Sequence, residues 1–209
     1  MPDTLTNLTQ TELLALALEA SRRNDAGHAL AYLKEAAGRA DASVQALFML
    51  GSEYAQLGLV AEAKASMAKA VELGDDFPLA RFQLGMLHVT SGETDMAKAV
   101  WAPLAGLGAE HPHAYLMAFH RGMQHLVNDE FDAAVHTLSE GVALNHVNEP
   151  LNADMRRVID AIEHLPGRQA APQALAEERV RVAPDTGAGS EVEPSHLFIS
   201  AYTRRGKPH

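Results

Sequence analysis

Apolar residues recur along much of the chain at the three- and four-residue spacing of amphipathic helices, and small residues interrupt them at regular points. The pattern is clearest in residues 44–77, where two helical stretches flank Gly58. The first stretch has Gly51 at its centre, and the second places Ala63 and Met67 one turn apart. We therefore predict two helices joined by a short turn, with small residues where the helices touch and larger apolar residues around them.

This pattern repeats at nearly constant spacing before and after residues 44–77. Four kinds of position each recur after 34, 34 and 37 residues: a small residue in the first helix (Ala17, Gly51, Gly85, Gly122), a turn residue (Asn24, Gly58, Gly92, Asp129), a small residue in the second helix (Ala29, Ala63, Ala97, Ala134) and a larger one after it (Leu33, Met67, Trp101, Leu138). The turn residues are of types that tolerate a left-handed backbone at a helix end. Four series that agree indicate a true repeat.

The repeat resembles the tetratricopeptide repeat, a helix-turn-helix unit of about 34 residues. The residues that carry the resemblance are Leu47, Leu50, Gly51, Tyr54, Ala63, Met67 and Ala70, followed by Leu84, Gly85, Ala97 and Trp101. The outer units depart from the family pattern, because His88 and His125 replace its tyrosine and Ala20 does so in the first unit. The resemblance implies an all-α fold, a right-handed α-solenoid of four helical hairpins.

The predicted organisation follows from the register of the repeat. It consists of an N-terminal extension (1–9), a repeat domain (10–165) with units 10–43, 44–77, 78–111 and 115–148 and a capping helix at 150–165, a flexible linker (166–194), and an apolar docking segment with a basic end (195–209). The register slips by three residues near Pro112, where we expect a loosened turn. Pro150 is well placed to begin the capping helix, and Pro166 to end it.

Charge and composition narrow the classes of partner. The chain has 209 residues, a formal charge of -10 and no cysteine, so disulfides and thiolate metal sites are excluded. Up to Leu165 there are 11 basic and 22 acidic residues, an excess that disfavours nucleic acid and anionic membranes as partners. The start of the chain does not read as a signal peptide, and no apolar run is long enough for direct membrane insertion. We expect a soluble, cytoplasmic, bacterial protein.

The resemblance also implies that the first helices line a concave groove that binds other proteins. The residues beside the small contact residue are Leu14, Leu18, Phe48, Met49, Ser52, Phe82, Gln83, Met86, Phe119, His120 and Met123. They form a largely apolar stripe that suits an apolar peptide or helix, and they lack the Lys, Arg and Asn that hold acidic peptide termini. The competing interpretation assigns the phenylalanines to the core of the solenoid.

The C-terminal segment carries a second apolar cluster, formed by Leu197, Phe198, Ile199 and Tyr202. Its residue types fit either a helix or a strand. It could dock in the chain's own groove, dock on another protein, or stay disordered.

Enzyme chemistry finds little support. The 11 histidines include no His-x-x-x-His pair with a catalytic glutamate, and His120 and His125 lie on different faces of one helix. We therefore predict no catalytic, metal or cofactor site. The favoured function is a scaffold or adaptor in the assembly or localisation of a bacterial multiprotein machine such as a secretion system. The alternative is a cytoplasmic secretion chaperone that holds an apolar segment of its client.

Overall fold

The computed structural model describes residues 5–74 and 77–165, and every regular element in those residues is helical. The α-helices are α1 (Gln10–Arg22), α2 (Ala26–Gly38), α3 (Val44–Gln56), α4 (Val60–Leu73), α5 (Pro78–Thr90), α6 (Thr94–Trp101), α7 (Tyr115–Val127), α8 (Phe131–Leu144) and α9 (Glu149–Glu163). Two short 3-10 helices span Leu5–Asn7 and Ala102–Gly106. Consecutive α-helices pack as antiparallel pairs that stack in chain order, which confirms the predicted all-α solenoid.

Side chains at the helix starts explain several of the boundaries. Thr9 and Glu12 form a reciprocal capping box at α1, in which the Thr9 backbone N–H donates to Glu12 over 2.7 Å. Asp25 and Ser43 accept backbone N–H groups at the starts of α2 and α3, over 3.2 Å and 3.1 Å. These bonds satisfy donors that a helix start leaves without partners.

The turns inside the four hairpins adopt the predicted left-handed conformation. The φ angles are 55° at Asn24, 74° at Gly58, 81° at Gly92 and 61° at Asp129. Glycine and the short polar side chains of Asn and Asp enter this region most readily. The spacing of the turn residues therefore predicted all four hairpin turns correctly.

In the second, third and fourth hairpins, the two helices pack closely where a glycine in the first helix faces a large side chain in the second. A Cβ atom built on Gly51 would lie 2.8 Å from Met67, and one on Gly122 would lie 2.7 Å from Leu138. At Gly85 the corresponding distance to the Trp101 ring is 2.0 Å. In the second, third and fourth units, the larger residue of the repeat thus occupies the space left by the missing glycine side chain.

The third unit differs from its neighbours because α6 ends early. The α-helix stops at Trp101 and continues as the 3-10 helix Ala102–Gly106, which contains Pro103 near its start. Proline has no backbone N–H, and its ring clashes with the carbonyl four residues earlier in an α-helix. Residues 107–114 then form turns rather than helix before α7, in the region where the register slips.

Helix α9 packs against the fourth unit and stands where the first helix of a fifth unit would begin. Leu151, Met155 and Val158 are buried on its inner side. The repeat spacing of 34 residues from Gly122 leads to Arg156, whose exposed guanidinium pairs with Glu149 over 2.6 Å. The four preceding units have a small residue at this position, so Arg156 departs from the repeat, and α9 is the last helix of the described residues.

Two buried asparagines hold the turn between α8 and α9. Asn145 and Asn152 are each 2% exposed, and their side chains bond to one another over 2.8 Å. Asn152 also donates to the Asn145 backbone carbonyl over 2.9 Å, and Asn145 donates to the Asn148 carbonyl over 2.8 Å. The buried amides are therefore bonded within the turn itself.

Replacing Asn152 with leucine should lower the free energy of unfolding by about 2 kcal/mol, because it leaves buried groups of Asn145 without partners. Val147→Ala is a matched control in the same turn, where the valine is 67% exposed; a change within about 0.5 kcal/mol is expected there. Urea denaturation followed by circular dichroism measures both. Equal effects of the two variants would show that the amide network does not stabilise the turn.

None of the helices in the described part of the chain has the length and apolarity needed to cross a bilayer.

Candidate interaction face

The structure divides the predicted groove residues into two groups by burial. Five of them are buried: Phe82, Met86, Phe119, His120 and Met123. The remaining six are half-buried or exposed: Leu14, Leu18, Phe48, Met49, Ser52 and Gln83. The division follows the chain, since α1 and α3 hold five of the six accessible residues, whereas α7 holds none.

The buried group belongs to the core, which corrects the prediction that these side chains line an accessible groove. Phe82 lies between two aromatic rings, with its centroid 5.9 Å from Trp101 on α6 and 6.1 Å from Phe119 on α7. Phe119 in turn meets Tyr115 edge-on at 5.7 Å. Both phenylalanines are fully buried, in the largest apolar cluster of the described residues, which extends through α8 to α9. The competing core interpretation therefore holds for the third and fourth units.

The accessible group defines a surface that we call the open face: Leu14, Leu18, Phe48, Met49, Ser52 and Gln83. Leu14 and Met49 both pack against one cluster, formed by Ala17, Leu33 and Leu50. That cluster therefore joins the α1 and α3 parts of the face. Leu18 is 45% exposed. The open face is thus anchored at its base and apolar at its surface.

Phe48 is fixed at the α5 side of the open face. Its ring meets the Phe77 ring edge-on with centroids 5.1 Å apart. Phe48 also packs against two apolar clusters that contain residues of α4 and α5. The Ser52 hydroxyl donates to the Phe48 carbonyl over 3.0 Å, so that hydroxyl is already bonded within its own helix. Phe48 is therefore oriented by packing before any partner arrives.

No residue of the open face carries a charge, although the described part of the chain is rich in acids. The buried acid of the described residues is Glu53, which is 6% exposed and accepts a bond from the Ser21 hydroxyl over 2.9 Å. That bond joins α3 to α1. Sequence reasoning missed Glu53; the signal was an acidic residue at the position where the next unit has Leu87.

Two of the histidines link the helices of their own unit. His88 and His125, which replace the family's tyrosine, each pair with a glutamate five residues later, Glu93 and Glu130. The first of these pairs is 2.5 Å long, and Glu93 also bonds Lys64 of the preceding unit over 2.8 Å. The His88 pair therefore joins α5 to the start of α6, and the His125 pair joins α7 to the start of α8. The five-residue spacing was visible in the sequence.

His120 is different, because both of its ring nitrogens are buried without a hydrogen-bond partner. It is 5% exposed and meets the Trp101 ring edge-on at 5.8 Å. Burial lowers the pKa of His120, and the nearby charge of Arg121 lowers it further. The residue therefore favours the neutral form. Within the described residues, no three potential metal ligands are gathered in one place.

The predicted tail-docking residues, Leu197, Phe198, Ile199 and Tyr202, lie outside the described residues, as does the linker before them.

Comparison with known proteins supports the repeat and the fold. The family profile described as Tetratricopeptide repeat matches residues 44–74. A solved structure entitled "Crystal structure of MamA" has a TM-score of 0.53 and 19% identity, over 65% of this chain and 78% of that one. A second, "MamA RS-1 ArsTM double mutant", has a TM-score of 0.54 and 15% identity, over 94% and 96% of the two chains. No curated protein matches the sequence significantly. At these identities the two structures share the fold.

Proposed function

We propose that this chain, which carries the tetratricopeptide repeat at residues 44–74 and shares the fold of the two solved structures, is a scaffold for protein-protein interaction whose open face binds an uncharged, apolar segment of another protein. The observation that carries the proposal is the difference between the two halves of the solenoid. The positions of Leu18 and Phe48 are accessible on α1 and α3, while the equivalent Met123 and Phe119 on α7 are buried. Only the first half leaves such side chains available.

The residue types of the open face indicate the polarity of the ligand that it would bind. Met49 has a flexible side chain that adapts to different shapes, and Leu18 offers exposed apolar area. A peptide with acidic or basic groups would find no counter-charge among the six residues of the face. The preferred ligand is therefore an apolar helix or strand whose charged residues point away from α1 and α3.

We propose that the protein acts in the cytoplasm of a bacterium, as an assembly or localisation factor of a multiprotein machine such as a secretion system. A secretion chaperone would use the same open face, but its ligand would be a secreted client. Co-purification from native cells distinguishes the two, because machine components accompany an assembly factor, whereas the client of a chaperone is lost when this protein is absent.

The test of the binding face is the double variant Leu18→Gln with Met49→Gln, measured by calorimetry against the partner identified by co-purification. Burial of a leucine or methionine side chain contributes about 1.5–3 kcal/mol, so binding should weaken at least about tenfold. Raising NaCl from about 0.1 M to 0.5 M should change the affinity little, because apolar contacts are not screened.

Leu73→Gln serves as the control for lost surface apolarity, because Leu73 is 56% exposed at the end of α4 and lies outside the open face. This variant should bind as the unchanged protein does. Equal affinity of the double variant and the unchanged protein would show that the partner binds elsewhere.

A further inference from the structure

The C-terminal segment and the open face share one unusual property, which is the absence of charge. Residues 195–203 contain no Lys, Arg, Asp or Glu and include Leu197, Phe198, Ile199 and Tyr202; charged residues flank them at Glu193 and Arg204. We propose that this segment docks on the open face of the same chain, as an internal ligand that a partner must displace. The inference rests on the proposed function, since both concern the same face.

The structure favours the first half of the solenoid as the docking site. The equivalent positions in the third and fourth units are occupied by buried side chains such as Phe82 and Phe119, which are not accessible to a docking segment. Helix α9, which precedes the linker, presents Arg156 and the ion pair of Arg157 with Asp154 outside its buried side. An apolar segment finds matching chemistry on the open face.

The length of the linker fits the distance it must cover. Among the first helices of the units, α9 comes three places after α3 and four places after α1. At about 8–10 Å for each place, the distance to cover is roughly 24–40 Å. The linker, residues 166–194, has 29 residues; a flexible chain of that length has a root-mean-square span of about 27–32 Å. Effective concentration is highest when the span of a linker matches the distance between sites, and it reaches the order of millimolar.

That concentration decides between docking within one chain and docking between two copies. A solution of the protein at about micromolar concentration offers each open face roughly a thousandfold less of the segment from other molecules than its own linker supplies. Docking within the chain therefore dominates even when the segment binds weakly. A partner then competes with the segment, and its apparent affinity rises when the segment is removed from the face.

The absence of cysteine in the chain allows a direct test in the full-length protein. One variant carries Leu18→Cys with Ile199→Cys, and its matched control carries Leu57→Cys with Ile199→Cys. Leu18 and Leu57 are each 45% exposed, but Leu57 lies in the turn of the second hairpin, one unit nearer to α9 and outside the open face. The rate of disulfide formation within one chain is followed by mass spectrometry under mild oxidation.

Docking should make the Leu18→Cys pair form its disulfide at least about tenfold faster than the Leu57→Cys pair, since a random chain would favour the nearer site. Adding Phe198→Asp should abolish this preference, because it places a charge in an apolar contact. Equal rates, a faster control pair, or disulfides mainly between two chains would each overturn the proposal.

A second measurement separates this inference from the proposed function. Phe198→Asp alone should raise the affinity of the partner at least about twofold, because it removes the competing segment. Unchanged partner affinity in Phe198→Asp, together with weakened binding in Leu18→Gln with Met49→Gln, would overturn internal docking and leave the proposed function standing. The opposite result is also possible to recognise. If the Leu18→Cys pair formed its disulfide preferentially, but the partner bound Leu18→Gln with Met49→Gln as tightly as the unchanged protein, internal docking would stand and the proposed function would be overturned.

Discussion

Gly85→Ala is expected to lower the free energy of unfolding by about 3 kcal/mol, although alanine is the better helix former. The added methyl group would lie 2.0 Å from Trp101 Nε1 and 2.3 Å from the next ring atom. The indole is rigid and held by Phe82, because its N–H donates to the Phe82 carbonyl over 2.9 Å and its ring stacks on the Phe82 ring. Moving it costs the hydrogen bond as well as the packing.

The measurement is urea denaturation of the variant beside two matched glycine replacements. Gly51→Ala should cost less, because the closest atom it meets, at 2.8 Å, belongs to the flexible side chain of Met67, whereas the Ala63 carbonyl oxygen lies 3.2 Å away. Gly38→Ala should be neutral or stabilising, since no neighbouring atom lies within 4 Å of the new methyl group. If all three variants lost the same stability, close packing on Trp101 would not be the cause.

The stability of the protein should also fall as the pH is lowered from about 7.5 through 6.5, by at most about 1.4 kcal/mol for each further pH unit, because of His120. The pKa of His120 is lowered from its ordinary value of 6.5, chiefly by burial, so the folded chain binds this proton more weakly than the unfolded chain does. Lowering the pH through 6.5 therefore favours unfolding, and the stabilisation is fully present only above that value.

The variant His120→Leu should make stability nearly independent of pH in this range, and at pH 7.5 it should be at least as stable as the original, because two buried nitrogens without partners are removed. His136→Gln is the control, since the side chain of His136 is exposed on α8. Glu93 titrates at lower pH than His120. The bond from Lys64, and then that from His88, lower the pKa of Glu93 from its ordinary value of 4.5. The stability that Glu93 contributes is therefore lost only below pH 4.5. A pH dependence that survived in His120→Leu would assign the effect to another group.

The sequence predicted the backbone of this protein well, for physical reasons that are local. A residue such as Asn24 or Gly58 reports a left-handed turn through its own conformational preference, and Gly51 reports a close helix contact through its size. Those properties need no knowledge of distant residues. The helices and the hairpin turns of the described residues therefore followed from spacing and residue type.

The binding face was predicted less well, because exposure depends on residues far away in the chain. Phe48 and Phe82 hold the same register and the same residue type, yet Phe82 is fully buried and Phe48 is only half-buried. The difference lies in what each ring meets, which is Phe77 in one case and the pair Trp101 and Phe119 in the other. Pro103 offered a local signal that the third unit departs from the others, but not where Phe82 would lie.

The uneven size of the apolar clusters has a consequence for motion. The largest cluster runs from Phe82 to Ile162, while the first two units rest on several small ones. In a stack where each unit contacts only its neighbours, the free energy of local opening follows the local packing. The end that carries the open face is then the end that opens most readily, and a ligand bound there would slow its amide hydrogen exchange more than that of α7 to α9.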